Sequence, residues 1–155
     1  MIIAGTGHRP SKTGGYSQQA FDRLVNIAYN WLLTQDSRPI IISGMALGWD
    51  QALARAAIKG SYELWAYIPF TGQESVWPRD SRLYYNFLLE YASKKIICST
   101  GLYTPAKMQV RNERMVDDAD LILAFHNGDK YGGTFNCLKY AEQQKKPIVN
   151  LYSID

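Results

Sequence analysis

The stretch 130-KYGGTFNCLKYA-141 has the makings of a phosphate cradle. Gly132 and Gly133 allow a ligand to approach the backbone, and Thr134 is placed to cap a helix and donate its hydroxyl. The free amides of residues 134–136 would then point at an arriving anion. A reciprocal capping box would put Glu or Gln at position 137, where this chain has Cys137. A second glycine-rich turn leads into a helix at 43-SGMALGWDQALARAA-57. There Gly44, Met45 and Gly48 precede a helix start whose N–H groups and positive dipole end suit a phosphate. Asp50 stands at the same start, either capping the helix or accepting hydrogen bonds from ribose hydroxyls.

Three further stretches carry comparable chemistry. In 5-GTGHRP-10, Gly5, Thr6 and Gly7 give backbone access, while His8 and Arg9 supply cationic or hydrogen-bonding groups. Pro10 at the sixth position separates this loop from the dinucleotide fingerprint GxGxxG. In 69-PFTGQESVWPRDS-81, Phe70 and Trp77 could stack on a base and Gln73 or Arg79 could read its edge or a phosphate; alternatively the aromatics plug the end of a core. In 105-PAKMQVRNERMVDDAD-120, Met108, Met115, Val116 and Ala119 make an apolar stripe, and Asn112 falls on it. A desolvated amide needs a partner from the fold or from a ligand. Arg111 beside it faces the place where a phosphate could lie, or pairs with an acidic residue.

The elements that must position these residues alternate along the chain. Apolar, β-branched runs at 1-MIIAG-5, 39-PIIIS-43, 63-ELWAYI-68, 95-KIICS-99, 120-DLILAF-125 and 147-PIVNLY-152 predict strands covered on both faces. Helical periodicity predicts helices over 17–34, 50–59, 79–93, 105–118 and 134–145, the last opening at Thr134. On the helix at 79–93, Leu83, Tyr84, Phe87, Leu88 and Tyr91 make one apolar face. Strict β-α alternation with short connections implies an α/β fold, a doubly wound and mostly parallel sheet of about six strands with helices on both faces, in one domain over 1–155. In such a sheet ligands bind at the carboxyl ends of the strands, where strand order reverses.

Composition narrows the function classes. A chain of 155 residues with 46% hydrophobic and 20% charged residues can bury a real core. The net charge of +3 is spread out, the longest basic runs being 94-KK-95 and 145-KK-146. That suits one local anion site, so nucleic acid is not expected as a partner. Cys98 and Cys137 lack metal-binding spacing, so they read as reduced, buried thiols, and neither metal nor cofactor is expected. The N-terminus lacks the flank and apolar segment of a signal peptide, and no apolar run approaches membrane length. A cytoplasmic protein without a membrane partner is the expectation.

Together SGMALGWDQALARAA, MQVRNERMV and YGGTFNCLKYA resemble the SLOG superfamily. This Rossmann-like group includes the DNA-processing protein DprA, the LOG phosphoribohydrolases and YpsA-type proteins. SGMALGWDQA is similar to the SGxAxGID motif of the DprA branch, with Trp49 where Ile is usual, and the likeness points most to YpsA-like and phage-associated single-domain members. LOG enzymes pair the arginine of a motif like MxxRNxxM with a glutamate three residues after the threonine of GGxGTxxE. That arginine carries over to Arg111, whereas the glutamate position holds Cys137 and Thr134 directly follows Gly133, a shortened spacing.

A thiol cannot replace a carboxylate that stabilises an oxocarbenium-like centre or moves a proton. The resemblance therefore implies a protein that binds a nucleotide or nucleotide-derived small molecule, such as an ADP-ribose or cyclic ADP-ribose type signal, as members in phage and bacterial defence do. The alternative is a nucleoside-phosphate N-glycosidase or related transferase, with Arg111 holding phosphate and Asp50 or Glu113 handling ribose or the proton. Single-stranded DNA binding, by analogy with DprA, is a third reading. LOG-like relatives associate through helices beside the site, so a homo-oligomer is expected, with Trp31 or Tyr91 available to an interface.

Overall fold

Residues 1–153 are described by the computed structural model. They run β1 (Ile2–Gly7), α1 (Gln18–Leu33), β2 (Ile40–Ser43), α2 (Trp49–Lys59), β3 (Leu64–Ile68), α3 (Arg79–Leu89), β4 (Lys94–Ile97), α4 (Pro105–Asp118), β5 (Leu121–Phe125), α5 (Gly133–Gln143) and β6 (Ile148–Asn150), with a 3-10 turn at Pro10–Lys12. The strands form one sheet in the order β4-β3-β2-β1-β5-β6, and every pairing is parallel. Strand order therefore reverses between β1 and β5.

Alternation of side chains along each strand divides the core into two layers. Ile3, Ile41, Leu64, Ala66, Leu123 and Phe125 face α1, α2 and α3. Their neighbours Ala4, Ile42, Tyr67 and Ile122 face α4 and α5. The helix starts follow local chemistry: Ser17 Oγ accepts from the Ala20 amide to begin α1, and Thr104 does the same for Lys107 ahead of Pro105 in α4.

Three expectations are corrected. β4 is not covered on both faces: it is an edge strand, largely exposed, and Lys94 and Lys95 on it discourage pairing with another sheet. The apolar face expected on α3 is split, since Tyr85 and Leu88 are buried while Leu83, Phe87 and Tyr91 stand in solvent. α5 opens before Thr134. Its N-cap is Gly132 at φ 101°, a conformation that favours glycine, so Thr134 lies inside the first turn and makes no side-chain cap bond. Among the described residues, no helix is long and apolar enough to cross a membrane.

Candidate functional site

A cleft of about 610 Å³ opens over the carboxyl ends of β1 and β5, the switch point of the sheet. Its floor is built around Arg111 of α4, which is only 4% exposed. Nη1 donates to the carbonyls of Gly44 at 2.7 Å and Tyr67 at 3.2 Å, and Nε donates to Asn112 Oδ1 at 3.1 Å. Nη2 makes no bond to the described residues, which leaves one edge of the fork for the cleft. Because Asn112 turns its oxygen toward Arg111, its amide nitrogen is left for a ligand as well. Glycine at 44 is a steric requirement: a Cβ there would lie 2.6 Å from Arg111 Nη1 and 2.9 Å from Asp50 Oδ2.

Asp50 is buried beside this guanidinium and accepts from the Ala46 amide at 3.4 Å. Burial pushes its carboxyl above the usual range, and Arg111 and Arg9 oppose that shift. Burial likewise lowers the pKa of Arg111, which Asp50 opposes. On both partners the desolvation cost outweighs the mutual attraction.

His8 follows β1. Its Nε2 accepts from the Asn127 amide at 2.9 Å, so that nitrogen carries the lone pair and a neutral ring holds its proton on Nδ1. Burial lowers the His8 pKa and favours this neutral form. The mouth is crossed by Lys12, whose Nζ meets Asp129 Oδ2 at 2.5 Å and lies 5.9 Å from the Tyr131 ring centroid.

The two glycine-rich helix starts differ. At α5 the first helical bond is from the Asn136 amide to Gly132, so the open amides are those of Gly133, Thr134 and Phe135, one residue earlier than expected. Gly132, Gly133 and Thr134 all line the cleft. At the start of α2 two of the first amides are taken by protein, Trp49 donating to His8 O and Gln51 to Ala46 O, and Ser43 Oγ donates to Asp50 O. A Cβ on Gly48 would lie 2.5 Å from His8 O, so this glycine serves close packing of two loops. The phosphate site expected at α2 thus has fewer open amides than the start of α5, while Ala46 and Asp50 of this turn line the cleft.

Of the expected ligand-binding residues, Thr6, Gly7, His8, Arg9, Asp50, Arg111, Asn112, Gly132, Gly133 and Thr134 converge on this one cleft. The others stand behind it or away from it. Gly5 lies under Leu53 of α2, Gly44 lies behind Arg111, and Met45 is fully buried. Phe70 backs Tyr103, a cleft residue, at 5.9 Å between centroids. Gln73 donates to Gly44 O, sharing that acceptor with Arg111. Trp77 packs edge-on against Tyr85, and Arg79 is exposed at the start of α3, outside the cleft. Glu113 accepts from Gln109 Nε2 and does not line the cleft.

Cys137 is buried beneath the floor among Ala4, Ile42 and Met115. Burial pushes its thiol up to about 11. Lys12, Tyr103, Gln109, Tyr131 and Asn136 are cleft residues that the sequence reading passed over. Stepping back from Asn112 by helical periodicity reaches Gln109, Met108 and Pro105, which all line the cleft.

Fold and cleft together define a three-layer, Rossmann-like α/β protein with a ligand-sized opening at its switch point. No family model matches the chain. The SPbeta prophage-derived protein YoqJ of Bacillus subtilis is 34% identical over 128 residues, covering 72% of this chain and 74% of that protein. A UPF0398 protein of Bacillus cereus is 25% identical over 162 residues, covering 98% of this chain and 88% of that one. Among solved structures, DprA from Streptococcus pneumoniae superposes with a TM-score of 0.67 at 15% identity, over 96% of this chain and 49% of that chain. DprA from Helicobacter pylori gives 0.65 at 14% identity, over 97% and 64%. This chain thus spans about half of the first DprA and under two thirds of the second, and at these identities the likeness shows the fold. The chain belongs to the family of the prophage protein YoqJ, and it shares the Rossmann-like fold of the DprA proteins.

Proposed function

We propose that the cleft binds a phosphate-bearing nucleotide or nucleotide-derived small molecule, of the ADP-ribose or cyclic ADP-ribose type, and holds it without cutting it. The observation that carries this reading is the convergence of donors. The open amides of α5, Arg9, the free edge of Arg111 and the amide nitrogen of Asn112 border one cleft, and its one carboxylate is Asp50. Donors clustered at a helix start favour an anion. Exposed Tyr103 and Tyr131 flank the opening as stacking surfaces for a base. A volume of about 610 Å³ lies within the range of small-molecule sites.

Holding is favoured over cleavage because the position of the LOG glutamate is a buried, protonated thiol and Glu113 lies outside the cleft. Calorimetry and thermal shift with ADP-ribose, its cyclised forms, NAD and nucleoside monophosphates test the proposal. At least one should stabilise the protein, and Arg9→Ala and Asn112→Ala should weaken its binding; failure of all of them to bind refutes the reading. Chromatography of the same mixtures for released base tests holding against cleavage.

A second reading draws on the Helicobacter pylori neighbour, whose description concerns single-stranded DNA binding. Arg9, Lys12, Tyr103 and Tyr131 at an open mouth are the residue types that track a strand and stack its bases. Oligonucleotide binding that weakens steeply with salt and is lost in Tyr131→Ala would favour it over the small-molecule reading.

A further inference from the structure

The loop after β1 separates two openings. Arg9, Ser11 and Lys12 line the cleft, while Pro10, Thr13 and Tyr16 line a second pocket of about 370 Å³. The first turn of α2 divides in the same way, with Asp50 on the cleft and Gln51 on the pocket. Gln51 is only 3% exposed, and its Nε2 donates to Met45 O at 3.2 Å. A carbonyl can only accept, so that bond fixes the amide with Oε1 as its remaining acceptor. No described residue donates to Oε1, and the atom is not sealed within the core. An acceptor so deeply desolvated calls for a donor, and the pocket is where one can reach it.

The rest of the lining sets the chemistry of that donor. Phe21, Leu24, Leu47 and Tyr84 make an apolar wall, in which Phe21 meets Tyr84 edge-on at 5.6 Å between centroids. Asp80 is the one charged side chain among the described lining residues, whereas the cleft carries Arg9, Lys12 and Arg111. The charges that reach Tyr84 from beyond the lining, Arg55 and Asp22, oppose each other. Two helix starts border the pocket, but neither solicits an anion: Ser17 Oγ accepts from the Ala20 amide at α1, and Asp80 occupies the first turn of α3. We propose that this pocket is a binding site for a small molecule that joins an aromatic or alkyl body to a protonated amine. The body packs on Phe21, Leu24, Leu47 and Tyr84, and the ammonium donates to Gln51 Oε1 within the negative field of Asp80. The volume lies within the range of small-molecule sites.

Titration calorimetry and amide-resolved NMR on the whole chain test this, with benzylamine, phenethylamine and hexylamine as probes and phenethyl alcohol and hydrocinnamate as neutral and anionic counterparts. At least one amine should bind, and at least about tenfold tighter than either counterpart. Its shift changes should centre on Phe21, Gln51, Ser81 and Tyr84. Asp80→Asn, a change at an exposed position, should weaken the amine about tenfold. Ser81→Lys sets a cation in the lining and should abolish binding while circular dichroism shows a folded chain. No binding by any of the three amines into the millimolar range overturns the proposal. Shift changes confined to Arg9, Asn112 and Gly133 put the amine in the cleft and overturn it equally. An alcohol that binds as well as its amine, or an amine indifferent to Asp80→Asn, overturns the assignment of a cation.

Discussion

Alanine in place of Gly44 probes the cleft floor without removing a single atom. The added methyl would lie 2.6 Å from Arg111 Nη1, 2.8 Å from Cζ and 2.9 Å from Asp50 Oδ2. Returning the first of these to an ordinary 3.4 Å contact requires the guanidinium to withdraw by about 0.8 Å. Both bonds from Nη1, 2.7 Å to Gly44 O and 3.2 Å to Tyr67 O, are strained or lost in that movement. Gly44 O keeps Gln73 as a donor, while no other side chain donates to Tyr67 O. Hydrogen bonds from a charged donor contribute about 1.5–3 kcal/mol each, and partial relaxation recovers some of this, so we expect a loss of about 2–4 kcal/mol. That is a large fraction of the roughly 5–15 kcal/mol typical of a domain. Equilibrium urea unfolding should show a lower midpoint at an unchanged slope. Gly133→Ala is the control: nothing lies within 4 Å of its added Cβ, so stability should hold or rise by about 0.5 kcal/mol while the methyl enters the cleft and weakens ligand binding. If Gly44→Ala stays within about 0.5 kcal/mol of the parent, Arg111 is not held as described.

Asp50→Asn should raise stability at neutral pH. A carboxyl whose pKa is higher folded than unfolded binds protons more tightly in the folded state, so stability falls as pH rises through that interval and then levels. Melting curves from pH 3 to 8 should show the parent and Asp50→Asn alike at the acid end and diverging above it; parallel curves would contradict this. Cys137, with its thiol near 11 and 2% exposure, should resist Ellman's reagent at pH 8 until the protein unfolds. Rapid labelling of the native Cys98→Ser protein would show that position 137 is accessible. Asp129→Asn should tighten binding of anionic ligands by releasing Lys12 from its ion pair, while Lys12→Ala should weaken it. Titration calorimetry on both variants decides whether Lys12 serves the ligand at all.

The course of the chain was legible because its signals are local. β-branched runs and three- and four-residue apolar steps reflect the backbone periods themselves, so six strands and five helices lie close to where the sequence placed them. The switch-point rule then gathered His8, Arg9, Asp50, Arg111 and Thr134 around one cleft. The misfit at Asn112 was also informative, since a polar group on an apolar stripe must find a partner, and Arg111 supplies it.

What went unread depends on contacts between distant segments. The turns at 44–48 and 132–133 look alike in sequence, but His8 O and Ala46 O occupy two amides after the first, while the amides of Gly133, Thr134 and Phe135 after the second stay open. Docking of the loop after β1 onto α2 supplies the first of those acceptors. Likewise, α3 reads as one apolar face, yet its edge position in the helical layer leaves Leu83, Phe87 and Tyr91 uncovered. Cys137 marks a departure from the LOG pattern in the sequence alone, but its depth among Ala4, Ile42 and Met115 comes from the packing of α5 on the sheet. The sequence by itself determined the elements, their order and the residue types available for an anion. The tertiary structure decided which amides, carboxylates and aromatic rings stay open to a ligand, because burial and hydrogen-bond satisfaction are set by neighbours far away in the chain.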